Sequence, residues 1–418
     1  MMFIEDEVSV SDFIRAISEA IDLASPVLSN HHRKVTYLSC CIGKEMGLPD
    51  DMIKDIALAA ILHDIGAFSV EEQILLHNFK IAEADLANHA EVGYRLLKDF
   101  APLKQIAELI RYHHSPYEIG AQIPVGSFVI NLADMLAVLH NEEEEILEQV
   151  PRMLLRIENK KDIFHPEALA ALDRLSRLEY FWIEACLLPD VKIIPPRIIA
   201  SKVDFIDLDT LRGFAVVFAH IIDFRSRFTA THSSGIAAVA KEISKIAGFS
   251  ERECKLMEIA GFLHDLGKLS ISNDILDKNG KLDHAEFNIM RKHTYFTYSI
   301  LKKIRGLEHV AGWAAFHHEK LDGSGYPFHI RGDELCKLAR IMCVADVFTA
   351  ITEDRPYREG MCEEETNGVL SRMVENGGLD KEIVELVRVN FHHINGLRIT
   401  AQEEALKDYE GFQTGLLS

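Results

Sequence analysis

Apolar residues in this chain recur mainly at three- and four-residue steps, the spacing of helices with one buried face. Between Asp51 and Leu62, Ile53, Ile56, Ala57, Ala60 and Ile61 fall on one side. Ser250 with Glu253 three residues later predicts a capping box at the head of another helix, whose buried face is Leu256, Ile259, Ala260 and Leu263. The apolar run from Phe214 to Phe224 reads as core, with a dimer seam as its alternative. Period-two alternation is scarce, so the pattern predicts an all-α protein.

The segments that end these two helices are copies of each other. Leu58 to Val70 aligns with Ile259 to Ile271 at six identical positions of thirteen. His31 pairs with His232 and His63-Asp64 with His264-Asp265 at an offset of 201. His89 pairs with His293 and His113-His114 with His317-His318 at 204, then Asp134 with Asp346 at 212. The last jump predicts a longer loop in the second copy, Glu319 to Gly332. The chain therefore reads as a tandem duplication, with domains expected at 1–140 and 205–418 and a connector at 141–204. The connector opens with four consecutive glutamates after Asn141, carries Pro166 at a helix start, and continues through Pro189 and Pro195-Pro196. It predicts two or three helices followed by an extended linker.

Length agrees with this division, since 418 residues at about 150 per domain suggest two or three domains. Lys plus Arg number 45 against 65 for Asp plus Glu, a formal charge of -20. No cation excess exists to neutralise polymeric DNA or RNA, and a phosphorylated ligand would need metal ions or a local Arg/Lys cluster. Seven cysteines without a C-x-x-C pair argue against a disulfide framework and for the cytoplasm. Glu5, Asp6 and Glu7 stand where a signal peptide would carry cations. The longest apolar stretch, Phe214 to Ile222, contains His220 and is about half of the ~20 residues a membrane helix needs. A soluble protein is expected.

Each copy thus presents single histidines, a His-Asp pair, a His-His pair and a distal Asp. Imidazole and carboxylate without thiolate suit Fe, Mn, Zn or Ni in a catalytic rather than a structural site. Any one buried His is ordinarily a hydrogen-bonded core residue; it is the ordered recurrence of the whole set that carries the metal reading. Cys40, Cys41 and Cys336 read as buried thiols, and His392-His393, outside the repeat, as no part of a site.

The second copy resembles the HD-GYP cyclic-dinucleotide phosphodiesterases within the HD-domain metal-dependent phosphohydrolases. The resemblance covers about residues 210 to 410. It rests on Thr229-Ala-Thr-His-Ser233, His264-Asp-Leu-Gly-Lys268, Met290-Arg-Lys-His293, His317-His-Glu-Lys-Leu-Asp-Gly-Ser-Gly-Tyr-Pro327, Ala345-Asp346 and Asp354-Arg-Pro-Tyr-Arg358. It implies one metal at His232, His264, Asp265 and Asp346 and another at Asp265, His293, His317 and His318, with Asp265 bridging. Two such ions ~4 Å apart can share a hydroxide. Both would be divalent transition metals, Fe or Mn ahead of Zn or Ni. Lys268 would stabilise the phosphorane or protonate the leaving 3′ oxygen, and Arg355 and Arg358 would contact phosphate. Gly325, Tyr326 and Pro327 would form a lip for substrate or a protein partner. Phe228 stands where some relatives carry a third-metal glutamate, which implies a dinuclear site. The implied reaction is hydrolysis of a 3′-5′ phosphodiester of cyclic di-GMP or mixed cyclic GMP-AMP to a linear dinucleotide. A nucleotide phosphomonoesterase and a non-catalytic cyclic-dinucleotide sensor are the alternatives.

The first copy resembles the wider HD family only. It keeps His31, His63, Asp64, His89, His113, His114 and Asp134, a possible second metal site, but has Ala67 in place of Lys268 and lacks the Gly-Tyr-Pro loop. A regulatory domain and an accessory nucleotidase are its two readings. Homodimerisation stays open.

Overall fold

The computed structural model describes residues 8–9, 12–13, 15–16, 30–67, 83–118, 122–187, 205–224, 231–278, 280–354 and 358–416. The chain divides into two units, residues 21–203 and residues 1–20 with 204–418. Described residues are overwhelmingly helical, as the period of the apolar positions requires.

The N-terminal unit contains α1 (His31–Glu45), α2 (Asp50–Leu62), α3 (Glu83–Leu97), α4 (Lys104–Arg111), α5 (Val125–Leu139), α6 (Ile146–Glu158), α7 (Pro166–Leu175) and α8 (Glu179–Leu187). Helix α1 is its axis and lies against α2, α5, α7 and α8. Three helices of the expected connector, α6 to α8, belong to this unit instead of standing between two domains. Tyr37 of α1 explains why: its ring lies 6.3 Å from that of Phe181, and its hydroxyl donates to Glu184 Oε2 at 2.9 Å. Phe181 and Trp182 are buried, and the Trp182 indole N–H donates to the Ser176 carbonyl. Apolar residues lie around α8 rather than along one stripe, so periodicity gave no hint of the face it buries. Pro189, Pro195 and Pro196 lie outside the described residues.

The C-terminal unit opens with the chain's first residues. Strand β1 (Val8–Ser9) pairs antiparallel with β2 (Phe205–Ile206), Val8 opposite Ile206. Phe13 is fully buried, its ring 5.6 Å from Phe214 and 5.4 Å from Phe218. Both partners sit on α9 (Leu208–Asp223). The expected boundary of 1–140 is corrected accordingly: residues 1–20 fall in the unit of the second copy, where Val8, Phe13 and Ala16 are buried. The Phe214–Phe224 run is core.

Beyond α9 come α10 (His232–Ile246), α11 (Glu251–Leu263), α12 (Asn273–Leu276), α13 (His284–Met290), α14 (Lys292–Leu301) and α15 (Glu308–Ala315). They are followed by α16 (Lys337–Thr352), α17 (Glu363–Glu375), α18 (Lys381–Val389) and α19 (Phe391–Leu416). Helix α11 starts at the expected Ser250–Glu253 capping box. Helix α10 is central, packed against α11, α16 and α19. Cys40 and Cys41 are buried, but Cys336 is exposed, because it is the residue that caps α16 at its solvent end. His392 and His393 are exposed and pair with Glu363 and Glu242. Among the described residues no helix is long and apolar enough to cross a membrane.

The chain's two tryptophans fall one in each unit, Trp182 and Trp313. Phe13→Ala in a Trp182→Phe background should therefore lower the Trp313-reported stability by about 3–5 kcal/mol, the usual cost of emptying a buried phenylalanine site. Denaturant unfolding followed by Trp313 fluorescence checks this, and an unchanged transition would contradict the placement of the first residues.

Candidate metal centres

In the C-terminal unit the repeated residues converge from five places. His232 is the first residue of α10, His264 and Asp265 follow the end of α11, and His293 lies in the first turn of α14. His317 and His318 form a 3-10 turn after α15, and Asp346 lies within α16. All but His318 are buried. Asp265 stands at the centre. Its Oδ1 is 3.3 Å from His293 Nε2 and 4.0 Å from His317 Nε2; its Oδ2 is 3.1 Å from His264 Nε2 and 2.5 Å from Lys268 Nζ. Asp346 faces His232 Nε2 at 3.8 Å and His318 Nδ1 at 3.7 Å.

The turn after α11 is what allows this closeness. A Cβ at Gly267 would come within 2.0 Å of the His293 carbonyl oxygen, so only glycine lets Asp265 and His293 approach. Gly66 stands in the same relation to the His89 carbonyl in the other unit, at 2.1 Å.

The histidine tautomers decide what the cluster can hold. Nδ1 of His264, His293 and His317 donates to the carbonyl three residues earlier, on Gly261, Met290 and Ala314. Each Nε2 then carries a lone pair aimed at Asp265 or at another ring. His293 and His317 meet Nε2 to Nε2 at 3.3 Å. Opposed lone pairs beside an ionised carboxylate repel one another unless a cation lies among them, so the donor set fits metal ions of the imidazole- and carboxylate-binding kind. The ligand atoms of His293, His317 and His318 lie within 4.8 Å of one another, as do those of His232, His264 and Asp346 and those of His264, Asp265 and His317.

Electrostatics favour the neutral form at His293, His317 and His318. Burial lowers His293 and His317 to about 3 and His318 to about 4, which keeps these rings neutral. Burial would raise Asp265, but His264 and Lys268 outweigh it and hold the carboxyl well below the usual range. Lys268 stays charged, because Asp265 overcomes the burial that would lower its ammonium pKa.

Two residues that the sequence did not flag support the cluster. Glu353 is buried and accepts from His232 Nδ1 at 3.0 Å and from Gln402 Nε2 at 3.1 Å. Gln402 is held in turn by Arg398, a buried residue of α19. His232 is thus oriented by a carboxylate where its neighbours use backbone carbonyls. Burial alone would lower the His232 pKa, yet Glu353 and Asp346 raise it to about 10. Asp223, at the end of α9, accepts from the Ser233 N–H and hydroxyl, and burial lifts its pKa to about 7. Glu353 has no counterpart in the spacing shared by the two copies, where residue 141 is Asn, whereas Asp223 falls on Asp22 at the offset of 201 that pairs His31 with His232 and could have been found by it.

The loop after His318 is held by Glu319, whose buried carboxylate accepts from the Phe328 and Ile330 N–H groups. Gly325 is buried against it, since a Cβ there would lie 2.4 Å from Glu319 Cα. Tyr326 and Pro327 follow, and the Tyr326 ring stands 5.0 Å from His318. Arg358 donates from Nη2 to the Ala350 carbonyl at 2.5 Å, and its Nε is buried without a partner among the described residues. Phe228 and Arg355 lie outside the described residues.

The N-terminal unit repeats the geometry. His63 and His89 lie 3.2 Å from the two oxygens of Asp64, His31 lies 3.2 Å from Asp134 Oδ1, and His89 meets His113 Nε2 to Nε2 at 3.3 Å. His114 Nε2 is 3.2 Å from His89 Nε2. Ala67, buried, occupies the place of Lys268.

Comparison with known proteins agrees with the duplication. Residues 28–139 and residues 216–383 each match an HD domain. The 3′3′-cGAMP-specific phosphodiesterase 1 of Vibrio cholerae is 26% identical over 409 residues, 92% of each chain. The cyclic di-GMP phosphodiesterase response regulator RpfG of Xanthomonas campestris is 38% identical over 143 residues, 34% of this chain and 38% of that one. A solved cyclic GMP-AMP specific phosphodiesterase of V. cholerae, V-cGAP3, shares the fold with a TM-score of 0.63 over 92% of this chain and 98% of that one, at 22% identity. Two HD domains thus lie in tandem along this chain, which belongs to the HD-domain family.

Proposed function

We propose that the C-terminal HD domain hydrolyses a 3′-5′ phosphodiester of a cyclic dinucleotide, cyclic di-GMP or mixed cyclic GMP-AMP, to a linear dinucleotide. The observation that carries this reading is Asp265, whose two oxygens face separate sets of imidazole donors while Lys268 stands on one of them. Full-length similarity to a 3′3′-cGAMP-specific phosphodiesterase supports the substrate class.

His232, His264, Asp265 and Asp346 would hold one divalent ion and Asp265, His293, His317 and His318 a second. Iron or manganese suits these donors, with zinc or nickel also compatible. Bound ions supply Lewis acidity to the phosphoryl oxygens and acidify water. The chain's own residues do the rest. Backbone carbonyls and Glu353 fix the imidazoles in the metal-binding tautomer. Lys268, kept charged by Asp265, offsets the charge that builds on the phosphoryl group and can give its proton to the leaving 3′ oxygen. Arg355 and Arg358 contribute cations for phosphate, and Tyr326-Pro327 forms a lip over the centre or a docking point for a protein partner. The cytoplasm is the compartment where such a substrate and seven thiols both belong.

The two imidazoles on Asp64 keep the distances of those on Asp265 to within about 0.1 Å, although His31 stands closer to Asp134 than His232 does to Asp346, and this retained core favours a metal-binding role over an inert scaffold. A regulatory site and an accessory nucleotidase both fit, and Ala67 marks the missing cation.

Three outcomes are expected of protein purified without oxygen and loaded with Fe(II) or Mn. The double variant His264→Ala/Asp265→Ala should lose hydrolysis of cyclic dinucleotides; phosphate release from a linear dinucleotide that survives in it would assign a nucleotidase to the N-terminal domain. Lys268→Ala should lower kcat by about 10²–10³ with metal content retained, whereas unchanged turnover would remove the lysine from the mechanism. No turnover of any cyclic dinucleotide by the metal-loaded wild type would leave a sensor. Glu353→Ala should weaken metal retention by the C-terminal centre about 10–100-fold, read by chelator competition, with Glu353→Gln intermediate.

A further inference from the structure

We propose that Phe287, backed by Tyr326 and Arg291, is a platform on which one nucleobase of the substrate stacks. This rests on the cyclic-dinucleotide reading of the C-terminal centre and adds a binding subsite to it. Phe287 is 43% exposed on a seven-residue helix with no buried residue, where Ile289 is open as well. Its ring lies 6.1 Å from Tyr326, edge to face, and the Tyr326 ring lies 5.0 Å from His318 of the candidate metal centre. The three rings lead outward from the centre to the surface.

Packing explains the neighbouring exposed aromatic but not this one. Phe328, 39% exposed, meets Tyr295, Tyr298 and Phe316 and so anchors its loop. Among the described residues the ring and cation partners of Phe287 are Tyr326 and the Arg291 guanidinium, 5.5 Å from its ring centre. Its helix is nonetheless well capped. Asp283 accepts from the Ala285 and Glu286 N–H groups, Glu286 accepts from the Asp283 N–H, and Lys278 pairs with Glu286. A fixed backbone presenting an open ring is preorganised for stacking.

Arg291 points to the same ligand. It donates to Asn288 Oδ1 at 2.7 Å and, among the described residues, pairs with no carboxylate. In a chain of formal charge -20, an unneutralised guanidinium beside an open aromatic suits a nucleotide, with base on ring and phosphate on cation. Stacking tolerates any purine, so this subsite sets affinity for a cyclic dinucleotide without choosing between guanine and adenine.

The test measures KM and kcat for cyclic di-GMP and for mixed cyclic GMP-AMP, with kcat for bis-p-nitrophenyl phosphate as a readout of the centre alone. Phe287→Ala should raise KM for both cyclic dinucleotides by about 5- to 150-fold and leave both kcat values within about twofold. Phe287→Trp should restore KM, whereas Phe287→Leu, apolar but without a π face, should not. Unchanged KM in Phe287→Ala, full rescue by leucine, or an equal loss of kcat on all substrates would overturn the platform while the phosphodiesterase reading stands. A wild type that hydrolyses bis-p-nitrophenyl phosphate but no cyclic dinucleotide would overturn both.

Discussion

The C-terminal unit is organised around a single carboxylate. Asp265 sits just past the end of α11, and its two oxygens face donors that arrive from α14, from the turn after α15 and from its own neighbours His264 and Lys268. A buried anion that faces imidazole lone pairs is tolerable only while cations, Lys268 among them, lie beside it. Every helix that brings a ligand to this point is therefore constrained in length and pitch by the position of one side chain. The glycine two residues on belongs to the same constraint, because the α14 backbone comes close enough to leave no room for a Cβ.

Much of this was legible in the sequence because histidines and aspartates were counted by spacing, and spacing survives duplication. Insertion lengthens a loop without changing the order of ligands, so the jump in offset before Asp346 located the loop after His318 correctly. What stayed hidden has no such register. Glu353 and Gln402 are far apart in sequence and meet only because α19 lies along α10. Phe13 looks like any apolar residue near a terminus until its rings are seen against α9. Cys336 reads as one more apolar side chain, and only its place at the head of α16 puts it in solvent. Helices α6 to α8 were visible as helices, yet nothing in their periodicity said which unit would cover them.

The two HD domains show what duplication preserves and what it releases. Ligand distances around Asp64 and Asp265 agree closely, as expected where each donor must satisfy the same buried charge. The surroundings differ in what they add to that charge. One domain places an ammonium on the carboxylate and a glutamate-held loop beside the second histidine pair; the other has a methyl group and a short connection. Divergence has therefore altered the surroundings of the histidine–aspartate cluster more than the cluster itself.

The β1–β2 pair carries a consequence for how the protein is made. Its two strands lie about 200 residues apart in sequence, with the whole N-terminal HD domain between them. As the chain leaves the ribosome, Val8 and Phe13 emerge well before the strand and helix that cover them, which come only after residues 21–203. The inserted domain can complete its core while synthesis continues. The other unit must wait with Val8 and Phe13 uncovered until β2 and α9 have been made, so these residues outlast the synthesis of a whole domain before they are buried.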